Sequence, residues 1–142
     1  MIPIERIVDR LVADEGEVLH AYPDHLGNLT IGVARLIDPK KGGGISREES
    51  RFLLANDIRK WMAIAGQWPW FDSLQWARQG VVICMLHQLG ARGVSGFRKM
   101  LAAIARKDYG AAADEMLDSG WHKQTPDRCE RMAAIMRTGE WQ

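Results

Sequence analysis

Ile4, Ile7, Val8, Leu11 and Val12 recur at helical spacing and fall on one helical face. Pro3 suits a first turn and Gly16 the position just past an end, so the pattern predicts a first helix over 3–15. The period then changes. Between residues 17 and 37, Tyr22, Leu29, Thr30, Ile31 and Val33 favour strands, and His25-Leu26-Gly27-Asn28 reads as a turn. This predicts a small antiparallel hairpin, with a third short strand near Leu36. Residues 38–44, DPKKGGG, read as a mobile loop that lacks the Gly-Lys-Ser/Thr ending of a phosphate-binding loop.

Ser46 opens S-R-E-E, a capping box with Glu49 at the third helical position. A long helix should follow to about Gly66, punctuated by Phe52, Leu53, Ile58 and Met62, and Pro69 forbids its continuation. The stretch from about Leu74 to Leu89 is very apolar in its second half, with Gly90 after it, and predicts a central buried helix. Shorter helices are expected near 95–106 and 108–119. Thr125-Pro126 reads as a cap and first helical residue, and Gly139 stops that last helix. The expected architecture is α+β, mainly α, in one domain. A small hairpin-containing lobe (1–45) is joined by a long helix (46–66) to a larger helical lobe (67–142), and such a pairing leaves a cleft where ligands commonly bind.

Composition narrows the function classes. With 142 residues, 46% apolar and 26% charged, the chain is an ordinary globular domain and not a disordered one. Nineteen basic against 18 acidic residues is mild evidence against nucleic-acid binding. The longest apolar run is Val81–Leu86, far short of the roughly 20 residues a membrane span needs. The N-terminus is broken by charges every few residues, unlike a secretory signal. The two cysteines, Cys84 and Cys129, read as free structural thiols of a protein made in a reducing compartment. The histidines at 20, 25, 87 and 122 give no i, i+4 pair, so no metal site is expected. Trp61, Trp68, Trp70 and Trp76 read as core or inter-helix packing.

The segment from Glu15 to Gly32 carries the candidate chemistry. Asp14 and Glu15 stand at the C-terminal end of a helix, where each carboxylate is unfavourable by about 0.3–1 kcal/mol. That field favours the neutral acid, the form a general acid needs. Asp24 and Thr30 lie symmetrically about Gly27. A turn centred there sets them opposite each other on one face, with Cβ atoms about 5 Å apart, able to hold one water between carboxylate and hydroxyl. On spacing alone, a Glu at a helix end is more often simply solvated, and Asp-x-x-Gly is more often just a turn.

The same segment, E-G-E-V-L-H-A-Y-P-D-H-L-G-N-L-T-I-G, resembles the signature of the T-even phage lysozymes, glycoside hydrolase family 24. That signature is E-G, five residues, then Y-x-D-x-x-G-x-x-T-I-G-x-G-H. Glu15, Gly16, Tyr22, Asp24, Gly27, Thr30, Ile31 and Gly32 match it. The likeness continues through Ile45–Glu49, Phe71–Leu74, Gln88–Gly90 with Gly93–Phe97, Trp121–Arg128 and Arg137–Trp141.

The resemblance implies a lysozyme-like fold and a muramidase that cuts between N-acetylmuramic acid and N-acetylglucosamine in peptidoglycan, with inversion at the anomeric carbon. It makes Glu15 the general acid, Asp24 the carboxylate that activates or positions water, and Thr30 a second holder of that water. Leu36, His87, Gln88, Trp121 and Arg128 are implied to bind substrate or support the site. No cofactor or metal is implied. The implied partner is the glycan strand, with no nucleic acid and no stable membrane insertion. Within that family a host-lysis endolysin and a fragment of a tail-spike enzyme are both open. A chain that holds one lysozyme unit and little else favours the endolysin, a monomer held in the host cytoplasm until a holin releases it to the periplasmic wall.

Three features depart from the family. Its G-x-G-H is Gly32-Val33-Ala34-Arg35 here, the 38–44 loop is short, and a net charge of +1 is low for a protein acting on an anionic wall.

Overall fold

The computed structural model describes residues 1–142. It contains seven α-helices and one three-stranded antiparallel sheet, in keeping with the mainly helical α+β pattern of the chain. The chain divides into two compact units, Met1–Phe52 and Leu53–Gln142, and the boundary falls inside a continuous helix. No helix is long and apolar enough to cross a membrane.

In the first unit, helix α1 (Ile4–Glu15) follows Pro3 and ends at Gly16, whose N–H bonds the Val12 carbonyl. Strands β1 (Val18–Pro23), β2 (Leu29–Gly32) and β3 (Arg35–Leu36) form a sheet in that order. The apolar stripe of α1 is not buried: Ile4, Ile7, Val8 and Leu11 are 47–71% exposed. A unit this small has a high ratio of surface to volume, so one helix and three short strands bury little of their apolar surface. Its one buried residue is Thr30, on the central strand between Tyr22 and Leu36.

The 38–44 stretch, expected as a loop, is closed by its own hydrogen bonds. Asp38 accepts from the Lys40 N–H and caps a single 3-10 turn over Pro39–Lys41. The N–H groups of Gly43 and Gly44 bond the carbonyls of Asp38 and Leu36. A Cβ on Gly43 would lie 2.7–2.8 Å from backbone atoms of Leu36, Ile37 and Asp38, so the close approach requires glycine. Three consecutive glycines suggest freedom, but local hydrogen bonds fold them.

Helix α2 (Arg47–Ala65) starts as predicted, with the Ser46 hydroxyl accepting from the Glu49 N–H at 3.0 Å. Helix α3 spans Trp76–Ser95, with a break at Gly90 (φ 72°, ψ 169°) where the predicted helix ends. Then come α4 (Arg98–Ala105), α5 (Tyr109–Leu117), α6 (Gly120–Gln124) and α7 (Pro126–Thr138). The hydrophobic pattern does not predict the short α6, because five residues are too few to show a period.

The second unit holds the core. Val81, Val82, Met85 and Leu86 of α3 are fully buried, together with Met100, Met116, Ile135 and Met136 from the helices around it. Cys129 is also buried, its thiol bonding the Met116 carbonyl, whereas Cys84 is exposed. Burial raises the Cys129 thiol to about 11. Trp61, Trp68 and Trp70 pack against this core, but Trp76 does not: it is 63% exposed and leans on Trp141. It is the first residue of α3, before the helix turns its apolar face inward.

Candidate active site

Glu15 is the last residue of α1 and is exposed. Its neighbour Asp14 is paired with Arg10 one turn earlier, at 3.0 Å. Just beyond lies the hairpin, and its register differs from the one expected. Tyr22 faces Thr30 and Pro23 faces Leu29, so the turn centres on Leu26 and not on Gly27. The N–H of Asp24 bonds the Asn28 carbonyl at 2.9 Å, which continues that ladder. Asp24 therefore faces Asn28, and Thr30 is its diagonal neighbour on the same face, at a spacing typically about 7–8 Å.

The cause is the Asp24 side chain. Its Oδ1 accepts from the N–H groups of Leu26 (2.9 Å) and Asn28 (2.8 Å), closing the turn one residue earlier than Gly27 alone would. A further irregularity between Val18 and Tyr22 shifts the ladder again toward its open end.

These bonds set the electrostatics. The Asn28 backbone N–H does most to hold the Asp24 carboxyl below its ordinary range. Partial burial opposes this, and the Leu26 N–H, the Asn28 amide and His25 reinforce it. Asp24 is thus fixed as a carboxylate with Oδ1 fully engaged. Oδ2 meets only the Asn28 amide at 3.5 Å. The Thr30 hydroxyl donates to the Asn28 carbonyl at 2.9 Å, so its oxygen is left with acceptor capacity. Asn28, which the sequence marks only as a turn residue, is the hub joining the two.

Leu36 is half-buried on β3, paired through its backbone with Thr30. Arg35 next to it binds Glu49 of α2 at 2.5 Å. That guanidinium is the main cause lowering the Glu49 carboxyl, with burial opposing and Ser46 assisting. Ala34 holds a left-handed backbone, φ 55°, at the position where the resemblance has glycine.

In the second unit, His87, Gln88, Trp121 and Arg128 line one concavity of about 420 Å³, with Leu54 and Ile58 on its apolar side. The buried Trp121 donates its indole N–H to Gln88 Oε1 at 2.9 Å. Gln88 Nε2 in turn donates to the Thr125 hydroxyl at 3.2 Å. Thr125 occupies the cap position of α7 as expected, yet its side chain makes no cap bond. The hydroxyl instead serves Gln88, a departure from cap behaviour that sequence does not reveal. His87 Nδ1 accepts from the Trp61 indole N–H at 3.2 Å, another pairing that no local signal announces. No group of three or more His, Cys, Asp or Glu is placed to hold a metal ion.

The phage lysozyme family matches residues 12–137. Probable T4-type lysozyme 2 of Dictyostelium discoideum is 32% identical, the alignment covering 96% of each chain. Probable T4-type lysozyme 1 of the same organism is 29% identical, with the same coverage. The pre-baseplate central spike protein Gp5 of Enterobacteria phage T4 is 28% identical over 96% of this chain and 28% of its own. With a family match running from within α1 to the last turn of α7, the chain belongs to the phage lysozyme family and is a lysozyme-type peptidoglycan hydrolase, a glycosidase of the muramidase kind.

Proposed function

We propose that the enzyme hydrolyses the β-1,4 bond between N-acetylmuramic acid and N-acetylglucosamine with inversion of configuration. Glu15 protonates the leaving oxygen while a water attacks the anomeric carbon from the opposite face. That water gives one hydrogen bond to Asp24 Oδ2 and one to Thr30 Oγ1, so a lone pair is left to form the new C–O bond. Asp24 takes the proton that the water loses, and the C–O bond to the leaving sugar breaks as Glu15 delivers its own.

The observation that carries this reading is the Asn28 hub. It commits Asp24 Oδ1 and the Thr30 hydroxyl hydrogen and leaves two acceptors on one face. Two acceptors position a water by both its hydrogens, which suits direct attack better than a covalent intermediate on Asp24. Inverting glycosidases keep their carboxyls about 6.5–9.5 Å apart to admit that water.

NMR of the freshly released reducing end tests the stereochemistry. The α-anomer is expected first from the β-linked substrate, and a β-anomer would refute inversion. Glu15→Gln is expected to lower lytic activity by about 10²-fold or more, the usual worth of general acid catalysis, with the fold retained. Lysis at the parent rate by a folded variant would remove Glu15 from the mechanism.

The proposed biological role is a host-lysis endolysin that acts as a monomer after a holin opens the membrane. Expression in a Gram-negative host should leave cells intact until the membrane is permeabilised, and spontaneous lysis without permeabilisation would count against that role.

A further inference from the structure

Two of the six tryptophans form an exposed aromatic pair that the hydrolytic chemistry does not use. Trp76 is 63% exposed and Trp141 is 45% exposed. Their ring centroids are 5.4 Å apart with planes inclined at 40°. The pair is built and not incidental. Gly80 lies one turn along α3 from Trp76, on the same face. A Cβ there would fall 2.5 Å from Trp141 Cζ3 and 3.1 Å from Cη2, so the absent side chain is the seat of the Trp141 ring. The segment leading to that ring is pinned. Arg78 of α3 donates to the carbonyls of Met136 (2.8 Å) and Arg137 (3.2 Å), and the Thr138 hydroxyl accepts from the Glu140 N–H. The Trp141 indole is therefore held before any ligand arrives, with Trp76 packed against it, which lowers the ordering cost of binding.

What would occupy such a surface follows from charge and from the substrate. A peptidoglycan hydrolase must stay on an insoluble anionic polymer, yet this chain carries a net charge of only +1, so long-range attraction contributes little. Indole faces are large, rigid and amphipathic, and they pack against the C–H faces of pyranose rings without needing charge. Trp76 also precedes Gln88 by twelve residues on the same helix, roughly 18 Å along its axis, so one sugar cannot touch both.

We propose that Trp76 and Trp141 form a second, non-catalytic binding surface for the N-acetylated glycan strands of peptidoglycan, which retains the enzyme on the wall. The proposal rests on the peptidoglycan-hydrolase assignment but not on the roles of Glu15, Asp24 or Thr30.

The test uses Trp76→Ala, whose exposed side chain can be removed without opening the core, and Trp76→Tyr, which keeps a ring. Co-sedimentation with purified sacculi is measured in the Glu15→Gln background, so that binding is read without cutting. Trp76→Ala is expected to bind about five- to tenfold more weakly, Trp76→Tyr nearly as well as the parent, and the parent's binding to persist at high salt. In the active background, Trp76→Ala should slow hydrolysis of sacculi but leave hydrolysis of a short soluble glycan oligomer unchanged. Unchanged sedimentation of the Ala variant, equal losses on sacculi and oligomer, or a Tyr variant as weak as Ala would each overturn the proposal. So would a parent dimer in sedimentation velocity that the substitution dissolves, because the surface would then belong to a second copy. A parent that binds sacculi but cuts nothing would sink the hydrolytic assignment and leave the binding result standing.

Discussion

Replacing Gln88 by Leu isolates the polar link that joins α3, α6 and α7. The change keeps side-chain size, so it opens little space, but it removes the acceptor of the Trp121 indole N–H and the donor to Thr125. Trp121 is only 4% exposed, so its N–H is largely shielded from water. A buried donor left unpaired costs about 1–3 kcal/mol. Thr125 loses less, because its hydroxyl is only half-buried and can turn elsewhere. A destabilisation of about 2 kcal/mol is expected, lowering the melting temperature by roughly 4–8 °C for a chain of this length. Urea unfolding followed by tryptophan fluorescence measures it. Trp121→Phe completes a double-mutant cycle. In the parent it strands Gln88 Oε1 and leaves a void, whereas in the Gln88→Leu background it leaves only the void. The two substitutions together should therefore cost about 1–2 kcal/mol less than their separate costs added. Additivity within about 0.5 kcal/mol would refute the reasoning, as would a Gln88→Leu protein as stable as the parent.

Ala34→Gly should stabilise the fold by about 0.5–1 kcal/mol. It relieves a left-handed Ala at φ 55°, worth about 1–2 kcal/mol, against a smaller gain in unfolded-chain entropy, and a lower urea midpoint would contradict this. Arg35→His should change lytic activity by less than about tenfold, a barrier change under about 1.4 kcal/mol, because Arg35 is engaged with Glu49. The same variant should raise the Glu49 carboxyl toward its ordinary range, because the shorter imidazole does not reproduce the guanidinium hydrogen bond that is the main cause of the lowering, and carboxyl NMR showing no change would refute this. Asp24 has a lowered folded-state pKa. Its contribution is therefore complete above the ordinary value of 3.8 and is lost as pH falls through the lower folded value. Asp24→Asn should flatten the pH dependence of stability in that acid range, and an unchanged acid limb would show that the turn does not depend on the charge.

Much of the fold is legible in the chain because it rests on short-range rules. Ser46 and Glu49 announce α2, Gly90 and Gly139 mark breaks where their backbones adopt positive φ, and Thr125-Pro126 opens α7. Glu15, Asp24 and Thr30 stand out by their motif, which is also local. What the sequence by itself does not determine is decided by interactions between side chain and backbone or between distant residues. Hairpin symmetry suggests Asp24 opposite Thr30, but two backbone N–H bonds to Asp24 Oδ1 move the centre of the turn and make Asn28 the hub. The glycines of 42–44 look free until the carbonyls of Leu36 and Asp38 engage them. Thr125 has the residue type of a helix cap, yet Gln88, 37 positions away, takes its hydroxyl. Trp76 has the composition of a core residue but stands at the end of α3, beside a Trp141 that Gly80 admits. Residue type and spacing determine which backbone conformations are cheap. Only the packed chain decides which partner each polar group and each ring meets, because those partners are far apart in sequence and their contacts depend on where every element ends.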